Sequence, residues 1–472
     1  MLLTFVILYL AASIAIGLIA ATRVHNTRDY VVAGRSLPLY VVTATVFATW
    51  FGSETVLGIS STFIKEGLRG IVSDPFGSSM CLVLVGFFFA AKLYRMDLLT
   101  IGDYYRVRYD AIAELLTSLC IVISYLGWLA AQIVVIGLVF SIVTGGAVSM
   151  NQGIVIGAIV VLIYTLWGGM YSVAWTNFVQ MVVILLGLFY IAYVIAEKAG
   201  GVATVVAHAD AAGKFEFWPK LEARDLLTFI GAWVTLMFGS IPQQDVFQRV
   251  NSSRSERVAV TGSVLGGVLY FLFAFVPIFL AYSASLIDPK MVGELMQKDH
   301  QQILPALILN HTPLFAQIVF FGALLSAVMS TASGTLLAPS VTFTENILKK
   351  LIRKELTDRQ FLWTMRVTVA VFATGVTVFA LNSESTIYEM VVDAYKVTLV
   401  AAFVPLVAGL YWKRATRQGA LAAILAGLAT WVVLEIAAPE GLFPPQLAGL
   451  LASVAGMIVG SSLPQWYGTQ SR

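Results

Sequence analysis

Long runs of apolar residues, separated by short polar stretches, dominate the hydrophobic pattern of the chain. A run of about 17 or more apolar residues is long enough to cross the hydrocarbon core of a bilayer as a helix. The pattern predicts about thirteen such helices. They are expected near residues 2–20, 38–62, 74–94, 111–145, 151–173, 175–197, 226–248, 258–284, 313–344, 361–382, 388–411, 417–437 and 442–463.

Two of these runs are interrupted by glycine, proline and polar residues. The first interruption covers residues 48–54, and the second covers residues 239–245. Because every backbone polar group in a bilayer needs a partner, a broken helix is tolerated only where it packs within the protein or lines a cavity. Broken helices at matching positions of two halves mark the binding sites of secondary transporters. The pair therefore predicts an ion-coupled solute transporter.

Residues 38–197 and 226–411 form two predicted repeats of five helices, and each repeat opens with its broken helix. An odd number of spans gives the two repeats opposite orientations in the membrane, as in the inverted-repeat transporters of the LeuT type. We therefore predict an all-α polytopic membrane protein, with one transmembrane domain over residues 1–472 and a five-plus-five, LeuT-like core. Residues 1–37 and 412–472 are expected to be peripheral.

The amino-acid composition supports a membrane protein and excludes several other classes. Hydrophobic residues make up 59% of the chain and charged residues 12%, with a mean hydropathy of +0.86, whereas soluble proteins are about 25% charged. Cys81 and Cys120 lie in apolar runs, so no disulfide framework or metal cluster is indicated. Neither a nucleotide-binding glycine loop nor a metal or nucleophile motif occurs, which argues against a primary pump and against an enzyme.

The distribution of Lys and Arg predicts the orientation. Most of them lie in alternate loops on the side that follows the first span, and in the C-terminal tail. The positive-inside rule then puts the N-terminus outside and the C-terminus in the cytoplasm. The first run lacks a basic segment before it, so we expect a retained span and not a signal peptide. Compact loops and short tails favour a bacterial inner membrane, and the net charge of +3 indicates no nucleic-acid partner, since the basic residues follow the membrane surface.

The ninth predicted span is rich in hydroxyl side chains between Ser326 and Thr335. Hydroxyl oxygens on one stripe of a helix, with carbonyls freed by a nearby break, suit a hard cation such as Na⁺. The alternative is helix packing, because small residues let helices approach and hydroxyls bond across them.

Four stretches together resemble the sodium/solute symporter family, and the resemblance runs from about residue 2 to residue 415. They are Gly-Arg-Ser-Leu at 34–37, the segment 164–180, Phe-Gln-Arg at 247–249 and Ala-Val-Met-Ser-Thr at 327–331. Within this family the chain is most similar to the high-affinity choline transporter branch, through residues 48–50, 239–242 and 247–250.

The resemblance implies a sodium site between the second and the ninth spans. Its ligands would be the backbone carbonyls of Ala48, Phe51 and Ala327 and the hydroxyls of Ser330 and Thr331. A break after Phe51 would free carbonyls, in agreement with this set.

A second sodium site, found in some members of the family, departs from its pattern in this chain. The family has an acid where this chain has Asn177, and a hydroxyl residue where this chain has Gly334. We therefore expect one Na⁺ per transport cycle.

Trp50 and Trp128 match tryptophans that resemble the aromatic cage of choline-type transporters, in which ring faces attract a quaternary ammonium. Ordinary packing or a place in the interfacial aromatic belts is the alternative for both. The choline branch has a further tryptophan where this chain has Gln243. A cage without that wall would hold choline less well, and Gln243 offers an amide donor and acceptor in its place.

Two acidic residues lie beside the two breaks. Intramembrane carboxylates are costly enough to suggest a function, so Glu54 or Asp245 could counter a cationic solute, and Glu54 could instead carry a proton. Asp245 could also be solvated at the inner mouth or paired with Arg249 one turn later. Neither acid matches the choline branch.

Asp393 and Lys396 are spaced to pair on one helix face. A structural pair is one interpretation. The other is that Lys396 gates the pathway, binds a solute carboxylate or alters the ion requirement.

These features together predict a Na⁺-driven symporter that imports a small organic solute through a lipid bilayer. Choline or another organic cation, a neutral amino acid or osmolyte, and a monocarboxylate remain open as solutes. A proton-coupled transporter and a solute sensor on the same fold are the alternatives. No sequence feature sets an oligomeric state.

Overall fold

The computed structural model describes residues 2–352, 355–383 and 385–465. Within these residues the protein is helical, apart from loops and one isolated β-bridge between Leu37 and Ser253. The main helices in chain order are α1 (Leu2–Ala21), α2 (Thr27–Val32), α3 (Leu39–Trp50), α4 (Ile59–Glu66), α5 (Leu68–Arg95), α6 (Ile101–Arg108), α7 (Ala111–Val143), α8 (Met150–Lys198), α9 (Val202–Ala211), α10 (Ala223–Gly239), α11 (Gln244–Ser252), α12 (Glu256–Ile287), α13 (Pro289–Lys298), α14 (Ile303–His311), α15 (Leu314–Leu351), α16 (Asp358–Asn382), α17 (Ile387–Tyr411), α18 (Arg417–Ala437) and α19 (Pro445–Ser462).

Ten of these helices in the described part of the chain are long and apolar enough to cross a membrane. The bent pair α10 and α11 adds an eleventh, and α3 is apolar but only 12 residues long. The predicted span at 388–411 is present as α17. The predicted loops near 198–225 and 285–312 contain the short helices α9, α13 and α14.

One predicted boundary is wrong. The spans expected at 151–173 and 175–197 lie in one continuous stretch, α8, and the break falls at Gly169 instead of near residue 174. Gly169 has φ 47° and ψ −135°, a backbone conformation that glycine adopts without strain. A Cβ at this position would lie 2.3 Å from the carbonyl oxygen of Tyr30, so the break is also where α8 meets α2 most closely.

The first interruption ends α3 at Trp50. Phe51 has φ −85° and ψ 75°, which leaves the helical region, and its N–H still donates to the carbonyl of Phe47 at 2.9 Å. The chain becomes helical again in a wide turn over Glu54–Gly58 that continues into α4. Carbonyls near the break therefore lack the regular partners of a continuous helix.

At the second interruption the chain bends by 43° between α10 and α11. Gly239 ends α10, Pro242 lies in the connection and Gln243 precedes α11. A Cβ on Gly239 would lie 2.6 Å from the carbonyl oxygen of Tyr395, so this break packs directly on the backbone of α17. The two interruptions thus occur where the sequence predicts them.

A backbone contact ties the two broken helices together at one end. The N–H of Leu37, just before α3, donates to the carbonyl of Ser252 at 3.0 Å, and the N–H of Arg254 donates to the carbonyl of Leu37 at 3.0 Å. Helices α8, α12 and α15 pack against the broken helices. Helix α7 reaches both breaks through side-chain hydrogen bonds. The helices α18 and α19 pack mainly on each other, at the periphery.

Candidate ion and solute sites

The hydroxyls of α15 meet the first break at a cluster of buried oxygens. Ser330 Oγ lies 2.6 Å from the carbonyl oxygen of Ala48, and Thr331 Oγ1 lies 3.4 Å from it. The same two hydroxyls lie 2.8 and 3.1 Å from the carbonyl oxygen of Ala327. All four residues are fully buried. The structure therefore brings together four of the five residues expected to hold sodium.

The fifth residue, Phe51, lies at the end of the same break. The next residue, Gly52, approaches α15 so closely that a Cβ on it would lie 2.7 Å from Thr331 Oγ1. Hard oxygen ligands from two helices at this position are the donor set that a small hard cation prefers. The residues present thus fit a sodium ion.

Four aromatic rings pack against each other beside the two breaks. The ring centroid of Trp50 lies 5.7 Å from that of Trp128 and 6.1 Å from that of Tyr395. Trp128 lies 5.4 Å from Tyr395 and 6.0 Å from Tyr125. Trp50 and Trp128, predicted from sequence, therefore share one aromatic cluster with two tyrosines that the sequence reasoning missed.

The two tyrosines differ in how far their positions could be predicted from the sequence. Tyr125 is three residues before Trp128 on α7, so helical spacing places both on one face. Tyr395 lies between Asp393 and Lys396 on α17, and the sequence pattern there indicates only the charged pair. Only the three-dimensional contact of α17 with both breaks reveals its ring at the cluster.

Asp245 is fully buried at the second break and is not solvated at an inner mouth. Tyr125 Oη donates to Asp245 Oδ1 at 2.5 Å and accepts from the Asp245 N–H at 2.9 Å. Oδ2 is buried and has no hydrogen-bond partner within 3.5 Å among the described residues, and the side chain of Trp50 is a nearby donor to the carboxylate. Arg249 Nη1 donates to the backbone carbonyl of Asp245 at 3.0 Å, so the arginine one turn later contacts the main chain and not the carboxylate.

Gln243 lies at the same break and joins three helices. Its Nε2 donates to Ser124 Oγ on α7 at 2.9 Å and to Thr398 Oγ1 on α17 at 3.3 Å. Thr398 Oγ1 in turn donates to the carbonyl of Gly239 at 2.7 Å. The amide of Gln243 therefore holds the second break beside the aromatic cluster.

Glu54 connects the two groups of residues. Trp128 Nε1 donates to its Oε1 at 3.1 Å, and Gln132 Nε2 donates to its Oε2 at 2.8 Å. The side chain is only 3% exposed. One carboxyl oxygen thus faces the aromatic cluster and the other faces the first break.

The two departures from the second-site pattern lie against one buried arginine. Arg249 Nη2 donates to Thr49 Oγ1 at 2.7 Å, and Asn177 Nδ2 donates to the same oxygen at 3.0 Å. A Cβ on Gly334 would lie 2.5 Å from Arg249 Nη2. The guanidinium therefore occupies space beside both positions where this chain lacks the expected ligand.

Lys396 pairs with Asp393 at 2.8 Å, as the spacing predicts. It also lies 3.3 Å from Glu435 on α18, which accepts a hydrogen bond from Trp431. Its ammonium thus faces the peripheral helices, while Tyr395 and Thr398 on the same helix face the breaks.

The chain is similar to several transporters. The model of the sodium:solute symporter family matches residues 30–427. The human high affinity choline transporter 1 is 29% identical over 453 residues, which cover 90% of this chain and 75% of that protein. The sodium/proline symporter of Escherichia coli is 27% identical over 490 residues, covering 98% and 93%.

Solved structures show the same fold. A Na⁺-coupled sialic acid symporter in a substrate-bound outward-open state superposes with a TM-score of 0.84 at 18% identity, over 98% of this chain and 97% of that one. Sequence, fold and the arrangement of broken helices agree, and the protein is an integral membrane transporter, not an enzyme. The chain belongs to the sodium:solute symporter family.

Proposed function

We propose that the protein is a Na⁺-coupled symporter that imports a small organic cation or zwitterion, with choline as the first candidate. The observation that carries this proposal is the buried aromatic cluster beside an unpaired carboxylate oxygen. Ring faces attract an ammonium group, and Asp245 Oδ2 offers a negative partner at the edge of the cluster. The choline branch has a further tryptophan at the position of Gln243. In this chain the third large ring of the cluster is that of Tyr395, which comes from α17.

The charge distribution favours a cation over a monocarboxylate. Asp245 and Glu54 lie at the breaks, whereas the ammonium of Lys396 is turned toward Glu435. A free carboxylate solute would meet two buried acids, and the buried guanidinium of Arg249 nearby is already bonded to Thr49 and to the Asp245 backbone. The two acids would therefore oppose such a solute at short range. A relative's substrate also points this way, since the human protein similar to this chain transports choline.

Sodium supplies the driving force in this proposal. A sodium ion bound by Ala48, Phe51, Ala327, Ser330 and Thr331 links the first break to α15. The ion therefore stabilises the conformation in which these two elements lie together. A solute that prefers the same state then binds more tightly when sodium is present. Two ligands with a shared preferred state are thereby coupled without any nucleotide.

One sodium ion per cycle is supported by the arginine near Asn177 and Gly334. A guanidinium is a permanent positive charge, and it lies 2.7 Å from Thr49 Oγ1, which also accepts from Asn177. A second sodium ion in this space would meet the like charge of the guanidinium, and Asn177 stands where the family pattern has an acid.

The membrane arrangement belongs to the same proposal. Dividing α8 at Gly169 and counting 39–66 and the bent pair as single broken spans gives about thirteen crossings, as the hydrophobic pattern predicts. Repeats 38–197 and 226–411 would then be inverted, with the N-terminus outside, the C-terminus in the cytoplasm and the bacterial inner membrane as the location.

Proton coupling is the second candidate. Glu54 and Asp74 are both buried, and their hydrogen-bond donors are neutral side chains. Trp128, Gln132 and Ser53 donate to Glu54, and Tyr270 donates to Asp74. A buried carboxyl without a cation favours its neutral form, which is the property of a proton carrier.

Uptake into proteoliposomes tests the proposal. Labelled choline, betaine, proline, a sugar and pyruvate would be offered with and without an inward Na⁺ gradient, to wild type, Ser330→Ala and Thr331→Ala. We expect Na⁺-stimulated uptake of choline or another ammonium compound, lost or strongly reduced in both variants. Uptake that follows an imposed pH gradient and ignores Na⁺ would favour the proton-coupled candidate instead.

A further inference from the structure

Glu54 lies at the edge of the cluster of oxygens assigned to sodium. A Cβ on Gly52 would be 2.6 Å from Glu54 Oε2, 2.7 Å from Thr331 Oγ1 and 2.8 Å from Gln132 Oε1. These distances place the three oxygens around Gly52, beside the hydroxyl of Thr331 assigned to sodium. Oxygens that share a cation of this size lie roughly 2.3–2.6 Å from it, as calcium ligands do. Glu54 Oε2 and Thr331 Oγ1 are therefore at most 5.3 Å apart, about the separation of two ligands on opposite sides of one such cation.

The partners of Glu54 leave its charge without a counter-ion. Its donors are the indole N–H of Trp128, the amide of Gln132 and, at 3.5 Å, the hydroxyl of Ser53. Gln132 Oε1 in turn accepts from the N–H of Ser53 at 2.9 Å. No lysine, arginine or histidine pairs with Glu54 among the described residues. A carboxylate this buried is costly unless a cation accompanies it.

We propose that the Glu54 carboxylate is a sodium ligand, so that the ion held by Ala48, Ala327, Ser330 and Thr331 is bound at a negatively charged site. This inference rests on the sodium site of the proposed function and assigns to that site an acid that the resemblance does not supply. Sodium would neutralise Glu54 through Oε2, while Oε1 remains bonded to Trp128 of the aromatic cluster. Ion binding is thereby linked to a wall of the solute site.

A sodium site with a carboxylate ligand is also a site at which protons compete. Protonation of Glu54 removes the charge that attracts sodium, so the sodium concentration for half-saturation rises as the pH falls. The other ionisable groups near Glu54 are Tyr270, which is hydrogen-bonded to Thr55; Asp74, which accepts from Tyr270; and Tyr395 across the aromatic cluster. A tyrosine does not titrate in the acidic range, which leaves Asp74 as the second acid to control.

Sodium binding measured without solute tests the inference. Purified protein, without choline, would be titrated with NaCl while KCl keeps the ionic strength constant. Thermal stability and ²²Na⁺ binding would be measured at each sodium concentration. We expect the half-saturating sodium concentration to rise about tenfold or more in Glu54→Gln, because a full charge a few ångströms from the ion is lost. Glu66→Gln, an exposed acid on α4, is the matched control and should bind as wild type. Asp74→Asn should retain the wild-type sodium affinity far better than Glu54→Gln.

A pH series on the wild type keeps the test independent of any folding defect in the variant. The half-saturating sodium concentration should rise as the pH is lowered from 8 to 5.5 in wild type and in Asp74→Asn. In Glu54→Gln it should not change with pH. Equal sodium affinity in wild type and Glu54→Gln, or a pH dependence that disappears in Asp74→Asn, would overturn the inference while leaving the symporter proposal intact. Absence of any sodium binding in wild type would overturn both.

Discussion

At the scale of single residues, the two oxygens of Asp245 have different surroundings. Oδ1 is bonded to Tyr125, whereas Oδ2 is buried without a partner in the described part of the chain. The hydroxyl of Tyr395, also at the aromatic cluster, lacks a partner in the same way. Leaving a buried polar atom without a hydrogen bond costs about 1–3 kcal/mol, and more when it is charged. In the proposed function, the cationic group of the solute is the partner of Asp245 Oδ2.

Asp245→Asn tests this role. The substitution keeps the shape of the side chain and removes its charge, so an organic cation should bind about ten- to a hundredfold more weakly, the equivalent of roughly 1.5–3 kcal/mol. Solute binding at saturating Na⁺, measured with labelled choline or with the best solute of the panel, gives the affinity. The half-saturating Na⁺ concentration without solute should stay unchanged.

Asp393→Asn is the control for that substitution, because Asp393 is an exposed acid that pairs with Lys396 away from the cluster. We expect it to bind solute as wild type does. If Asp245→Asn and Asp393→Asn were equally good at binding the cation, Asp245 would have no role in solute recognition.

At the scale of helices, the two breaks are positioned by close backbone approaches. Gly52 brings the first break to α15 and Gln132, and Gly239 brings the second to the backbone of α17. The bridge of Leu37 with Ser252 and Arg254 joins the broken helices at one end. Their relative position, and hence the width of the site between them, depends on these few contacts.

Gly239→Ala should push α10 and α17 apart. Its Cβ would lie 2.6 Å from the Tyr395 carbonyl oxygen, which belongs to the backbone and cannot rotate away. Overpacking of this kind costs about 1–3 kcal/mol, and the displaced Tyr395 ring should also weaken solute binding. The midpoint of thermal unfolding and the KM for uptake measure the two effects.

Gly375→Ala on α16 is the matched control, since nothing lies within 4 Å of its Cβ position. Alanine is the better helix former by about 1 kcal/mol, so this variant should be as stable as wild type or more so. A Gly239→Ala protein with the stability and KM of the Gly375→Ala protein would show that the second break does not need this close approach.

Helix-level features differ in how far sequence could predict them. Glycine and proline in an apolar run are local signals, which is why both interruptions were placed at 48–54 and 239–245. The break in α8 was placed several residues late because Gly169 is set by its contact with Tyr30, a residue distant in sequence. Charge pairing at i, i+3 predicted the contact between Asp393 and Lys396.

Contacts between distant segments explain what the sequence did not predict at the site. Tyr395 and the orientation of Lys396 toward α18 follow from how α17 packs, which no local pattern encodes. Arg249 was considered as the partner of the Asp245 carboxylate, but its guanidinium donates to Thr49 in the other broken helix. The sodium and solute assignments of the residues themselves stay predictions.

At the scale of the whole molecule, the candidate sites are enclosed. Trp50, Trp128, Gln243, Asp245 and Glu54 are each no more than 3% exposed. A solute therefore reaches them only if the surrounding helices move. Alternating access of one bundle against another around a central site is how inverted-repeat transporters provide such movement. In this account the sodium gradient drives that cycle.

The accumulation ratio of the solute at equilibrium tests the central claim most directly. Proteoliposomes would be clamped at zero membrane potential, and the internal and external concentrations of labelled solute would be measured as the Na⁺ gradient is varied. Coupling to one Na⁺ predicts that a tenfold inward Na⁺ gradient accumulates the solute about tenfold, since the two free energies balance. A ratio that stays at one whatever the Na⁺ gradient would contradict sodium-coupled transport, and a ratio near the square of the gradient would contradict a single sodium ion.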